Sequence, residues 1–543
     1  MLRNKPYDGV GLLLVVLSGW VLTHGITQRF DIVATDDDVY FVNGLNAFFR
    51  HEPLPIQMAP LFSGWYLLLY AFTQNVIDTY YLSWVLLSVL PGVFFYVLLR
   101  SLRVSVPISV VVSVLYLFSP LNFPLDQKVS PFTMLWLMGG LIAANYQTDP
   151  VGKLTATATG ALLAAYARPE FFLSFLALCV LAIGVFFWQR RKEKRPLPYP
   201  LLALMGVAAL LVLVFGSPMS GQRSVIAFAQ HFAMNYNVWH PEVEGSPWMH
   251  SKVFVVHGFG REVTSLADAF FLNPSLFMKH ITFNVVNGAT NTVHFLRETF
   301  LTSWLSHLAF PGRRYVLLAG AGAVLLLTNW RQTVRNLRQA GRAHGWYWLC
   351  VLAVVAPTFL SCIVLLPRAH YVVFQMILYV SLIGVVLQAY SFRDVPAAVS
   401  AALPYVAFGL LVLFLWPRWQ ANDEPKPTPV ADLLRSLKQL PIQEPVHMTG
   451  NVPLMYRLYL NPNWTYFYLG QYRPTSLEAF LHQYRINCLH IRPDVLTEFG
   501  TDPYLRRLLA DPGALGFVRH SLNVPDQYIL VHRQSVSINH PTH

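Results

Sequence analysis

The chain has 543 residues, of which 55% are hydrophobic and 12% are charged, and its mean hydropathy is +0.43. This composition excludes an ordinary soluble globular protein. The formal net charge of +12 does not indicate nucleic-acid binding, because the basic residues concentrate beside apolar runs, as at 190–195 and 331–342, which is the positive-inside pattern of a polytopic membrane protein.

Apolar runs of the length that crosses a bilayer recur along the chain. The first run follows Arg3 and Lys5 and lacks a small-residue cleavage site, so we interpret it as a retained helix and not as a signal peptide. The runs predict a polytopic α-helical membrane protein with about eleven transmembrane helices, at 9–28, 79–99, 104–120, 130–147, 152–167, 170–189, 199–216, 312–330, 346–367, 370–390 and 395–417.

The basic clusters predict the orientation of these helices in the plasma (inner) membrane. With the N-terminus in the cytoplasm, alternation places 190–195 and 331–342 on the cytoplasmic side. Counting 59–76 as a crossing would reverse every later loop. That run contains Trp65, Tyr66 and Tyr70, so we predict an interfacial helix on the outer face, with a full span as the alternative.

Three segments are then extracytoplasmic: the loops 29–78 and 217–311, and everything after residue 417. The membrane domain is predicted to cover 1–417, followed by a stiff polar linker at 418–429. Residues 430–543 predict a small soluble extracytoplasmic α/β domain. Its helices are expected at 430–439, 453–460, 476–484 and 503–510, and its strands at 446–449, 466–469, 488–491, 516–520 and 528–532.

Three consecutive aspartates, Asp36, Asp37 and Asp38, follow the first apolar run. Carboxylates are costly near lipid, and adjacent ones repel, which raises the pKa of at least one of them. The cluster therefore suits a general base or a metal-binding pair. The structural alternative is a solvated acidic turn that caps the amphipathic helix beginning near Val39.

The residues after this cluster resemble the GT-C superfamily of polyprenyl-phosphate-sugar-dependent glycosyltransferases, which includes protein O-mannosyltransferases and aminoarabinose transferases of lipid A. The resemblance lies in Asp37-Asp38-Val39-Tyr40-Phe41, Phe48-Phe49-Arg50, Pro53, Pro55 and Pro60. It implies that Asp37 is the general base that acts on the acceptor, with Asp38 beside it. Asp36 leaves the register open by one residue.

Two further motifs, both at outer membrane boundaries, resemble the same superfamily. Ala167-Arg168-Pro169-Glu170 looks like an Arg-Pro-Glu turn between helices, and Pro367-Arg368-Ala369-His370-Tyr371 looks like an Arg-Tyr motif with two residues inserted. The resemblance implies donor phosphate binding by Arg368, Arg168, His370 and Arg223, with Arg313 a further candidate, and a sugar or acceptor pocket with Tyr40, Glu170 and His231. The alternatives are arginines that snorkel at helix ends and a structural or surface histidine.

These observations predict an integral membrane glycosyltransferase that moves a sugar, with inversion, from a polyprenyl-phosphate donor to a glycan, lipid or protein acceptor in the cell envelope. The absence of a Rossmann or phosphate-loop fingerprint argues against a nucleotide-sugar donor. No cofactor is assigned, although Asp36, Asp37 and Asp38 could hold a divalent cation. The alternatives are a polysaccharide polymerase or ligase with lipid-pyrophosphate donors, and a flippase for lipid-linked glycans.

Overall fold

The structure of the chain is a computed structural model. It describes residues 6–32, 37–54, 59–193, 199–219, 223–248, 250–302, 328–391, 406, 408, 409, 424–440, 442, 445–450, 464–472, 474–522 and 524–535. The predicted runs at 312–330 and 395–417 and the predicted helix at 453–460 lie wholly or almost wholly outside these residues.

Helices dominate the described part of the chain. In the N-terminal half they are α1 (Pro6–Thr23), α2 (Asp38–Phe49), α3 (Pro60–Thr73), α4 (Val76–Ser101), α5 (Val106–Leu117), α6 (Val129–Tyr146), α7 (Pro150–Ala165), α8 (Phe171–Glu193) and α9 (Tyr199–Phe215). They continue with α10 (Arg223–Trp239), α11 (Ser251–Phe259), α12 (Leu266–Leu272), α13 (Pro274–Arg297), α14 (Trp330–Ala343), α15 (Gly345–Val364), α16 (Ala369–Val372) and α17 (Met376–Ala389).

Five stretches of the described chain are long and apolar enough to cross a membrane: Asp8–Gln28, Val76–Ser101, Phe171–Arg191, Gly345–Val364 and Ala369–Ala389. The chain is therefore a multi-pass membrane protein. Helices α5 and α9 are shorter apolar helices, and α6 and α7 fall on two more of the predicted runs. The predicted count of about eleven transmembrane helices is not confirmed. Helix α3 has 14 residues, about 21 Å at the α-helical rise, which is less than the hydrocarbon core and agrees with an interfacial helix.

The described chain divides into two units. The first unit comprises Met1–His24, Leu54–Gly64 and Trp84–Asp423, and the second comprises Gly25–Pro53, Trp65–Ser83 and Glu424–His543. The boundary between a membrane domain ending at 417 and an exported domain beginning at 430 stays a prediction.

Helices α6, α7 and α8 pack together in the core of the first unit. Asp149 is the N-cap of helix α7, and its carboxylate accepts a hydrogen bond from the Gly152 amide at 3.0 Å. Gly140 and Gly160 meet where α6 and α7 cross. A Cβ on Gly160 would lie 2.9 Å from the Gly140 Cα, so this close approach requires glycine.

The second unit contains a five-stranded sheet with strands β1 (His447–Gly450), β2 (Thr465–Tyr468), β3 (Cys488–Ile491), β4 (Phe517–Ser521) and β5 (Tyr528–His532). The strand order is β2-β1-β3-β5-β4, with β1 parallel to β2 and β3, and β5 antiparallel to β3 and β4. Its helices after residue 424 are α18 (Pro429–Lys438), α19 (Leu469–Tyr472), α20 (Leu477–Gln483), α21 (Pro493–Phe499) and α22 (Pro503–Ala510). The described strands begin and end within one residue of the predicted positions, and α19 and α21 were not predicted.

Candidate active site

Arg168 lies in the tight connection between α7 and α8 and is only 6% exposed. Pro169 follows it and Ala165 ends α7, so the turn holds the guanidinium in the first unit at the ends of two helices. Its Nε donates to Glu170 Oε1 at 2.7 Å, and its Nη1 donates to Ser130 Oγ at 2.7 Å. A buried guanidinium held by two fixed acceptors is preorganised for contact with an anion.

The segment around His370 packs against this arginine. Ser130 Oγ donates to the His370 carbonyl oxygen at 2.9 Å, which joins this segment to Arg168 through one hydroxyl. The Tyr371 ring centroid lies 4.7 Å from the Arg168 guanidinium carbon and 4.2 Å from the His370 ring centroid. Residues that are two hundred positions apart in sequence therefore form one cluster.

His231 enters the same cluster from α10. Its ring centroid lies 5.9 Å from that of Tyr371 and 5.8 Å from that of Trp248. The Arg368 guanidinium carbon lies 5.4 Å from the Trp248 ring centroid, so Arg368 reaches the same group of side chains. We call Arg168, Arg368, His370, Tyr371 and His231 the basic cluster.

The tautomer of His231 follows from its hydrogen bond. Nδ1 lies 2.7 Å from the Ala227 carbonyl oxygen, and a carbonyl only accepts, so Nδ1 carries the proton and Nε2 carries a lone pair. Nε2 is buried and has no hydrogen-bond partner among the described residues. Burial, and to a lesser extent Arg368, lowers the pKa of His231 to about 4. The imidazole is therefore neutral at physiological pH.

A cavity of about 360 Å³ opens beside the basic cluster in the first unit. Arg168, Glu170 and Tyr371 contribute its polar end, and most of the remaining wall is apolar. Leu173 of α8 and Leu360 of α15, on the wall, are 50% and 54% exposed, and both helices are candidate spans. The cavity thus joins the buried Arg168 guanidinium to exposed apolar side chains of two candidate spans.

Asp37 and Asp38 lie at the start of α2 in the second unit and are only 5% and 4% exposed. The Asp37 side chain makes no capping hydrogen bond to α2, and neither residue is a solvated turn residue. The structural alternative of a solvated cap is therefore wrong for Asp37. Nearby, the Tyr66 ring packs on Phe41 at 4.7 Å, and burial together with the Asp37 carboxylate raises the pKa of the Tyr66 phenol, which stays protonated.

The remaining predicted residues have different outcomes. Tyr40 is buried in α2, in the second unit. Glu170 forms an ion pair with Arg168 and lines the cavity, and its place in a sugar or acceptor pocket stays a prediction. Asp36, Arg313 and the Arg223 side chain lie outside the described residues.

Two charged residues near α6 were missed in the sequence. Lys128 is 1% exposed, with Nζ 3.1 Å from Ser88 Oγ and 3.8 Å from the Trp84 ring centroid. Burial raises the pKa of nearby Asp126, and Lys128 opposes that shift. The signal was available, because a lysine and an acid between two apolar runs are costly unless they are functional or paired.

No group of three or more His, Cys, Asp or Glu side chains with the spacing of a metal site occurs within the described ranges. Of the three aspartates, Asp37 and Asp38 lie within these ranges and Asp36 does not.

No protein-family model matches the chain, and no curated protein sequence matches it. Two crystal structures of ArnT from Cupriavidus metallidurans are similar to it, each with 11% sequence identity. The structure bound to undecaprenyl phosphate has a TM-score of 0.36, and the match covers 99% of both chains. The apo structure has a TM-score of 0.35, with 99% of this chain and 98% of that chain covered. Because both TM-scores are below 0.5, the functional proposal rests on the side chains of this chain.

Proposed function

We propose that this chain is an integral membrane glycosyltransferase of the GT-C type, which transfers a sugar from a polyprenyl-phosphate donor to an acceptor on the extracytoplasmic face. The observation that supports this most is a cavity that Arg168 and Tyr371 of the basic cluster line together with apolar side chains of two candidate spans. A lipid phosphate needs both a cationic group at headgroup level and an apolar wall for its chain.

The charge of the site suits a phosphodiester. Arg168 and Arg368 carry two positive charges, Glu170 offsets one of them, and His231 is neutral. The remaining single positive charge matches the single negative charge of a sugar-phosphate diester. As the sugar leaves, the phosphate gains a second negative charge, and the preorganised Arg168 guanidinium would stabilise it.

The proposed reaction is a single displacement. Asp37 accepts the proton of the acceptor hydroxyl or amine while the acceptor oxygen or nitrogen attacks the anomeric carbon. The bond from that carbon to the phosphate oxygen breaks, its electron pair stays with the polyprenyl phosphate, and the configuration inverts. Asp38 would orient the base, and Asp36 is the alternative base if the register differs by one.

The buried His231 suggests a second contact. Its Nε2 lone pair lies in the basic cluster and is available to accept a hydrogen bond from a bound donor group. A sugar hydroxyl is such a group, so we assign His231 to the donor sugar. Glu170 is assigned to holding Arg168, and Tyr40 to the acceptor side beside the aspartates.

A polysaccharide polymerase or ligase is the second candidate. The observation in its favour is that His231 comes from the long 217–311 segment and lies among the arginines, as expected if that segment carried the catalytic groups. Such an enzyme would use a lipid-pyrophosphate donor and would not need Asp37.

One experiment separates these functions. The full chain in nanodiscs is given labelled sugars on polyprenyl phosphate or polyprenyl pyrophosphate, with and without a chelator, and transfer to envelope glycolipids is measured. We expect transfer from the monophosphate only, reduced at least about 100-fold in Asp37→Asn and unchanged in Asp78→Asn, an exposed acid. Wild-type transfer in both Asp37→Asn and Asp38→Asn would exclude the proposed base. Transfer from the pyrophosphate alone would favour the polymerase or ligase, and a loss caused by the chelator would assign a divalent cation to the aspartates.

A further inference from the structure

Helix α14 carries a stripe of exposed arginines. Arg331, Arg335, Arg338 and Arg342 follow the spacing of one helix face, and all four are exposed. The sequence contains no Asp or Glu between residues 299 and 393. Within the described part of the chain, none of the four arginines has a carboxylate within 4.0 Å. Among the described residues, the stripe is thus a cationic surface with no carboxylate beside it.

A second, apolar stripe lies beside the arginines. Trp330, Val334, Leu337 and Gly341 each precede one arginine, so the two stripes are separated by one residue step, about 100° around the helix. Trp330 is 47% exposed and Val334 is 41% exposed. A tryptophan and a valine that face outward next to arginines are typical of a helix that lies in the membrane interface.

The third face of α14 is fixed to the protein. Thr333 is buried, and its hydroxyl accepts a hydrogen bond from the Ser391 amide at 3.1 Å. Asn336 Nδ2 donates to the Ala389 carbonyl oxygen at 3.0 Å. Ala389 ends one candidate span, and Gly345, two residues after α14, begins another. The helix is therefore anchored where two membrane-spanning helices meet the headgroup region.

We propose that α14 is an anionic-phospholipid binding element that lies flat in the leaflet it faces. Its apolar stripe enters the acyl boundary, and its four arginines bind lipid phosphates. A cavity of about 250 Å³ continues this surface, lined by Gln339 and His344 from α14 and its C-terminal end, and by Arg103 and Gln388. The four arginines do not line this cavity, and the exposed Arg103 gives it a cation of its own for a headgroup. This proposal does not depend on the donor or on the reaction.

A spin-label scan tests the position of the helix. Single cysteines at residues 330 to 342 are labelled in the full chain in phosphatidylglycerol nanodiscs, with the wild-type chain labelled in parallel to give the background of native cysteines. We expect oxygen collisions to peak at residues 330, 334, 337 and 341, and collisions with a water-soluble nickel chelate to peak on the opposite face. Low oxygen access at all four positions would overturn the proposal.

Charge substitutions test the lipid. Phosphatidylglycerol retained from mixed nanodiscs with phosphatidylcholine is counted by native mass spectrometry for R331Q/R335Q/R338Q/R342Q and for the same four positions changed to lysine. We expect about tenfold less phosphatidylglycerol on the glutamine variant and near wild-type amounts on the lysine variant. Equal retention by the glutamine variant and the wild-type chain would overturn the proposal. Loss from both variants would also support the proposal, because it would show that the lipid phosphates require the guanidinium fork and not charge alone.

Discussion

Arg168 and Glu170 bind each other across Pro169, with 2.7 Å between Nε and Oε1, and the arginine side chain is almost fully buried. The pair leaves the other side of the guanidinium directed to Ser130 and the Tyr371 ring. The Arg-Pro-Glu turn is therefore a device that fixes one arginine, and its proline keeps the two charged residues within reach of each other.

Replacing Arg168 by lysine keeps the positive charge but removes the planar guanidinium, whose nitrogens donate in two directions at once. One ammonium cannot bind Glu170 and Ser130 in the geometry of two guanidinium nitrogens. We expect Arg168→Lys to lower sugar transfer by about 10-fold to 100-fold in a folded protein. The assay is transfer by full-length protein in nanodiscs, with the exposed Arg190→Lys as the matched control. Unchanged transfer by Arg168→Lys would show that only its charge matters.

Ser130 should contribute more to stability and to lipid binding than its small side chain suggests. Its hydroxyl accepts from Arg168 and donates to the His370 carbonyl oxygen, so Ser130→Ala leaves two buried polar groups without this partner. We expect a loss of about 1–3 kcal/mol in unfolding free energy and weaker binding of polyprenyl phosphate. Ser113 is an equally buried serine whose hydroxyl has no hydrogen-bond partner among the described residues. Ser113→Ala should leave both measurements unchanged, and an equal effect of the two substitutions would contradict the prediction.

Sequence motifs located the charged members of the basic cluster but not its connections. Arg168 and Arg368 were predicted as donor contacts because each sits at an outer helix boundary, and the structure brings both to the Tyr371 and Trp248 region. Ser130 was not predicted, since one hydroxyl in an apolar run carries no signal until its partners are known. The ion pair between Glu170 and Arg168 was not predicted, because it depends on the backbone direction at Pro169.

In the sheet, too, the local elements were predicted and their connections were not. Short apolar strands between turn residues predicted β1, β3 and β5 closely, because alternation and turns are local signals. The strand order was not predicted, since β1 pairs with β3 across about 40 residues and β5 joins β3 from further along the chain. Helix α19 was missed because it has only four residues, and α21 because it lacks the side-chain cap that Ser476 gives the equally short α20.

Asp31 is predicted to hold the start of α18 within the second unit. Its two carboxylate oxygens accept from the Val430 amide at 2.9 Å and from the Ala431 amide at 2.8 Å. Amides in the first turn of a helix have no acceptor within the helix itself, so Asp31→Ala removes the acceptor of both. We expect hydrogen exchange of these two amides to accelerate by about tenfold or more, measured by mass spectrometry of the full chain. Glu478→Ala, which removes an exposed ion pair with Arg507, is the control and should leave their exchange unchanged.

Acid should destabilise the first unit through His231 and His280. Burial lowers the pKa of each to about 4, compared with about 6.5 in an unfolded chain. Between these values the unfolded state binds more protons than the folded state, so stability falls as the pH falls from 6.5 to 4 and levels off below. Each histidine contributes at most about 1.4 kcal/mol per pH unit.

His280 is the better one to test, because it lies outside the basic cluster and donates from Nε2 to the Val364 carbonyl oxygen at 2.9 Å. We expect His280→Asn to reduce the slope of melting temperature against pH between 6.5 and 4.5, whatever its effect on stability at pH 7.5. His250→Asn replaces an exposed histidine and should keep the wild-type slope. If His280→Asn also keeps that slope, the buried imidazole does not contribute to acid sensitivity, because a change in packing alone would shift every melting temperature equally.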